Sequence, residues 1–63
     1  MEMSLFNKYG ETWTKFRVSI SQLWAWKEYL KDKYGVDTSK PIKQNSRYIY
    51  FEAKGDFLNI NRR

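Results

Sequence analysis

Two alternating stretches set aromatic and basic side chains on a common parity: Trp13, Lys15 and Arg17 in the first, Tyr48 and Tyr50 in the second. Flat rings stack on nucleobases at roughly 1 to 3 kcal/mol each, while Lys and Arg neutralise phosphates and release their counterions. The chemistry open to such a set is non-covalent, and single-stranded nucleic acid or a phosphodiester backbone is the ligand it suits. Phe57, Asn59 and Asn61 alternate in the same way, and the two amides add hydrogen-bonding capacity toward base edges. Lys40, Lys43 and Arg47 fall in a stretch, 38–47, that has no acidic residue, and Arg62 and Arg63 follow at positions 62 and 63. These five cations either form a phosphate-contacting rim or are merely solvated, as charge runs outside regular elements more often are.

The same residues have a plainer use. Tyr, Trp and Phe are good strand formers whose cross-strand pairing stabilises a thin sheet, and interspersed Lys and Arg keep it soluble. Tyr, Trp and Arg are also the residues enriched at the energetic centres of protein interfaces, so an aromatic and basic face suits a protein partner too. Twelve Lys and Arg against seven Asp and Glu give a formal charge of +5. An excess of that size attracts polyanions, but small domains carry a net charge of about 2 to 8 for solubility alone.

Covalent catalysis has little to work with. The chain has no Cys and no His, which removes thiolate nucleophiles, imidazole bases, disulfides and the commonest zinc ligands. Its seven carboxylates are scattered, and Glu28 with Asp32 at i and i+4 sit beside Lys27 and Lys31 as an ordinary charged helix surface. Gly10, Gly35 and Gly55 each stand at a turn or helix stop rather than in a phosphate-binding loop, and no RNP pattern of the RNA-recognition modules is present. A non-enzyme without cofactor or metal is expected.

Several elements must hold these side chains in place. Phe16, Val18 and Ile20 alternate against Trp13, Lys15, Arg17 and Ser19, the period-two pattern of a half-buried strand. With the run 3–8 before it and Tyr9-Gly10-Glu11 between, residues 3–20 predict a β-hairpin. A helix of three to four turns follows, with Ser19 or Ser21 as its N-cap, Ser19 and Gln22 as a capping box, and Gly35 as its stop. Leu23, Trp26, Leu30 and Tyr34 share one face of it. Trp24 lies roughly 100° around from Leu23 among Lys27, Glu28 and Lys31. It points away from the expected core, either to pack along lysine stems or under the N-terminal segment, or to act as an exposed anchor for a partner or a second copy. Residues 47–53 and 57–62 alternate again around Lys54-Gly55-Asp56 and predict a second hairpin.

The resulting order is ββαββ, an α+β two-layer sandwich with one helix on one face of a four-stranded, mainly antiparallel sheet. It resembles the element order of the β-grasp architecture, although any two hairpins flanking a helix give the same order. The expected core is Phe16, Val18, Leu23, Trp26, Leu30, Ile49, Phe51, Leu58 and Ile60, and the opposite face carries Trp13, Lys15, Arg17, Tyr48, Tyr50, Phe57, Asn59 and Asn61 with no acid but Glu52. At 63 residues the chain has room for one domain, burying only about 60% of its unfolded surface, so large aromatics must supply the core. No signal-peptide pattern or membrane-spanning run is visible, and a soluble, cytoplasmic protein is expected. The leading expectation is a small basic nucleic-acid-binding module. The alternative is a protein-binding regulator or inhibitor of a larger host enzyme, of viral or mobile-element type, and a homo-oligomer is a third arrangement.

Overall fold

In the computed structural model, which describes residues 1–60, the first hairpin joins β1 (Glu2–Lys8) to β2 (Glu11–Ser19) through Tyr9 and Gly10. Both turn residues have positive φ, 55° and 73°, as a two-residue turn matching the strand twist requires. A 3₁₀ turn (Ile20–Gln22) leads into α1 (Leu23–Tyr34), then come β3 (Lys43–Gln44), β4 (Tyr48–Lys54) and a short α2 (Phe57–Ile60). The strands form one antiparallel sheet in the order β1-β2-β4-β3. This is the expected α+β arrangement, one main helix on one face of four strands.

The fourth strand does not come from the expected segment. Phe57–Ile60 is helical, because the Asp56 carboxylate accepts the backbone N–H of Asn59 at 3.0 Å and so caps a helical turn that four alternating residues do not forbid. Asn61 and Arg62, the rest of that expected strand, lie outside the described residues, as does the side chain of Ile60. The sheet is completed instead by Lys43 and Gln44, from a stretch without apolar periodicity. Here Ile42 N–H donates to the Tyr50 carbonyl at 2.9 Å while Lys43 stands opposite the same Tyr50. Two residues against one make a bulge, which ends the pairing.

The core lies between α1 and the sheet. Phe16, Val18, Leu30, Tyr34, Val36, Ile49 and Phe51 are buried there, with Met3, Ile20, Leu23, Trp26, Ala53 and Phe57 packed around them. Leu58 is only half-buried. The Tyr34 ring packs 5.0 Å from Phe16 and 5.1 Å from Phe57, and its hydroxyl reaches the Met3 sulfur at 3.8 Å. Phe57 thus belongs to the core side of the sheet, not to the opposite face. Fully buried Thr14 accounts for its own hydroxyl: Oγ1 donates to the Gly55 carbonyl at 2.7 Å and accepts the Phe57 N–H at 3.2 Å.

Both ends of α1 follow local rules, one of them not the expected rule. At the C-terminus Gly35 takes φ 69°, its N–H donating to the Lys31 carbonyl and that of buried Val36 to the Leu30 carbonyl, so a left-handed glycine folds the chain back onto the last carbonyls of the helix. At the N-terminus neither Ser19 nor Ser21 caps the helix. The two hydroxyls meet each other at 3.0 Å, and Ile20 N–H is drawn to the Arg47 carbonyl at 2.9 Å, so the chain enters through a 3₁₀ turn and the capping box does not form.

Candidate functional site

The molecule is 17 Å across its shortest axis, the depth of two layers, so the sheet face turned away from α1 has no layer of described residues over it. Cross-strand register decides what it carries. Trp13, Lys15 and Arg17 of β2 stand between Phe6, Ser4 and Glu2 of β1 and Lys54, Glu52 and Tyr50 of β4, with Tyr48 opposite Ser19 and Lys43 opposite Tyr50. Six of the expected site residues therefore share one surface: Trp13, Lys15, Arg17, Lys43, Tyr48 and Tyr50.

Each of its rings carries a cation. The Arg17 guanidinium lies 4.4 Å from the Tyr48 ring centre, Lys8 Nζ 4.7 Å from that of Trp13, Lys15 Nζ 5.5 Å from that of Phe6, and Lys43 Nζ 5.7 Å from that of Tyr50. Contacts of this kind contribute about 0.5 to 1 kcal/mol where exposed and hold ring and charge at fixed spacing. Trp13 is half-buried beneath Lys8, and its indole N–H is buried with no hydrogen-bond partner among the described residues. It forms the floor of the face more than a free platform. Tyr48 and Tyr50 are half-buried and sit near the β3 edge.

The face is less basic than strand alternation in β2 and β4 suggests, because β1 and the start of β2 add acids to it. Glu2 pairs with Arg17 at 2.8 Å, Glu11 with Lys54 at 2.5 Å, and Glu52 with Lys8. The Glu52 carboxylate, accepting from the Lys8 ammonium, holds that ammonium above the usual lysine range. Among the described residues, Lys15 and Lys43 are the cations of this face that make no ion pair.

The remaining expected residues lie elsewhere. Lys40 sits exposed in the turn after α1, where its N–H donates to the Asp37 carbonyl, and Arg47 sits exposed in a turn built on Asn45, whose side-chain oxygen accepts the N–H groups of Arg47 and Tyr48 at 2.8 and 2.7 Å. They flank the sheet. Asn59 is exposed in α2, and its side chain bonds to Asp56. Trp24 is 81% exposed on the solvent side of α1, the layer opposite the aromatic face, and lies along no lysine stem closely enough to be covered. Nearby, Tyr29 packs edge-on to Trp26 at 5.5 Å, and a hydrogen bond from Lys33 lowers its phenol below the usual tyrosine range. Arg62, Arg63 and Asn61 lie outside the described residues.

The residues missed from sequence are Glu2, Phe6, Lys8, Glu11 and Lys54. The signal was present: Glu2, Ser4, Phe6 and Lys8 alternate like β2, and the register set by the two-residue turn carries them to the same face. Among the described residues, no three His, Cys, Asp or Glu side chains are grouped to hold a metal ion, and no helix is long and apolar enough to cross a membrane. Comparison with protein-family models, with curated proteins and with solved structures gave no match.

Proposed function

We propose that the protein is a non-enzymatic, cytoplasmic module that binds single-stranded nucleic acid on its open sheet face. One observation supports this reading: the uncovered face brings Tyr48, Tyr50 and Phe6 together with Lys15, Arg17 and Lys43, so that ring surfaces and cations alternate at 4.4 to 5.7 Å. In this reading bases stack at Tyr48 and Tyr50, while Lys15 and Lys43, which have no carboxylate partner among the described residues, contact phosphates without first losing an ion pair. Arg17 contributes by exchanging Glu2 for phosphate. Lys40 and Arg47 extend the contacts at the edges, and Arg62 and Arg63 belong to the same proposal on charge alone.

Anisotropy of a labelled mixed-sequence oligonucleotide of about 15 nucleotides, titrated at ~50 mM salt, tests the proposal, because phosphate binding is strongest at low salt. Saturable binding that weakens in Tyr48→Ala and Tyr50→Ala by about 1 to 3 kcal/mol each is the expected result. No anisotropy change at that salt overturns it.

A second reading is favoured by a different residue. Trp24, 81% exposed on the far side of the molecule, suits a protein-binding regulator of a larger enzyme, with the indole as an anchor inserted into a partner's pocket. Capture from nuclease-treated lysate by the native chain, lost in Trp24→Ala while oligonucleotide binding persists, would support that reading.

A further inference from the structure

The two edges of the sheet are finished differently. At the β3 edge the strand is two residues long, follows Pro41, carries Lys43 and ends in a bulge, all devices that discourage further pairing. At the β1 edge a seven-residue strand has no proline, and its single lysine, Lys8, leans inward over Trp13 to Glu52. Among the described residues nothing protects that edge.

Its hydrogen-bonding phase can be read from the interior. Gly55 N–H donates to the Thr12 carbonyl at 2.9 Å, so Thr12, and alternately Thr14 and Phe16, turn their backbone groups toward β4. Trp13, Lys15 and Arg17 turn theirs toward β1, where they meet Phe6, Ser4 and Glu2. Met3, Leu5 and Asn7 then direct N–H and C=O outward, and among the described residues nothing bonds to them there.

We propose that this edge is where a second copy of the chain docks, β1 against β1, antiparallel about a two-fold axis at Leu5. In that register all seven residues of β1 pair: Leu5 meets its own copy, Met3 meets Asn7 and Ser4 meets Phe6. Glu2 stands opposite the second copy's Lys8, and Lys8 opposite its Glu2, so opposite charges face each other twice. Each contact extends a row already present, because Glu52, Lys8, the second copy's Glu2 and its Arg17 alternate in sign along the shared face. Leu5, 39% exposed in the single chain, is covered by its counterpart. The interface is isologous and closes, joining the two four-stranded sheets into one whose aromatic and basic face is continuous across both copies. It stands whatever that face binds.

Sedimentation equilibrium of the native chain, taken to ~500 µM to include interfaces at the small end of the specific range, gives the first readout. Twice the monomer mass is expected, with association weakened roughly tenfold or more in Leu5→Lys, which sets two like charges on the axis. Because the chain has no cysteine, Leu5→Cys and Asn7→Cys supply a second readout. Thiols introduced at position 5 stand directly opposite each other across the axis, whereas position 7 is displaced from its counterpart by about four residues, beyond the reach of a disulfide. Rapid oxidation to a cross-linked dimer in Leu5→Cys but not Asn7→Cys supports the proposal. A monomer at every concentration, undiminished association in Leu5→Lys, or equal cross-linking at both positions overturns it and leaves the edge to a different partner.

Discussion

Thr14 shows how much one side chain can organise. Among the described residues it is the one polar residue fully buried, and its hydroxyl joins the middle of β2 to both Gly55 and Phe57 across the chain reversal that follows β4. Thr14→Val keeps the shape and removes both hydrogen bonds, a change expected to destabilise by about 1 to 3 kcal/mol in urea unfolding. The aromatic and basic pattern of Trp13, Lys15, Arg17, Tyr48 and Tyr50 is legible in the sequence because strand parity alone sorts side chains between faces. What parity does not supply is the pairing of charges. Glu2 and Glu11 neutralise Arg17 and Lys54 only once the turn fixes the register, so Lys15 and Lys43 emerge as the cations of this face without carboxylate partners among the described residues.

Elements with strong local signals appear where the sequence puts them. The first hairpin, the helix face of Leu23, Trp26, Leu30 and Tyr34, and the Gly35 stop are each set by short-range chemistry. Tyr9 is the exception within the hairpin, an ordinary residue at φ 55° and 84% exposed, in a position that Asn or Gly favours. Tyr9→Asn is expected to raise stability by about 0.5 to 1 kcal/mol, read as an increase of roughly 2 to 8 °C in the thermal midpoint. Gly35→Ala should act in the opposite sense and cost about 1 kcal/mol, since there is open space for a Cβ but the left-handed backbone disfavours one. Residues 57–60 read as part of a strand from sequence although they are helical, because Phe57, Leu58, Asn59 and Ile60 satisfy a helical turn as readily as a strand. Asp56 decides between them through a cap that a period-two reading ignores. β3 is invisible in the sequence for a related reason: two residues held by a bulge and by Ile42 have no periodicity to detect.

At the scale of the molecule, a single main helix laid on one side of a four-stranded sheet leaves the other side with Lys8, Lys15, Arg17, Lys43 and Lys54 against Glu2, Glu11 and Glu52 among the described residues. Much of the positive charge on the open face is already balanced within it, so binding should rest on few ionic contacts. Lys15, Arg17 and Lys43 should together contribute about −2 to the slope of log affinity against log salt for a single strand, with the edge cations adding to it. Replacing Lys15 and Lys43 together by Glu removes the two cations that need not exchange a carboxylate, whereas Trp24→Ala changes only the opposite layer. The most direct test is the salt-dependent titration of one oligonucleotide against the native chain and the Lys15→Glu/Lys43→Glu variant, with folding of both confirmed by circular dichroism. A slope that becomes shallower by about 1.4 in the variant, together with a loss of affinity of roughly tenfold or more, is the predicted result. Equal affinity and equal slope in the two proteins would contradict the assignment of nucleic-acid binding to the open sheet face.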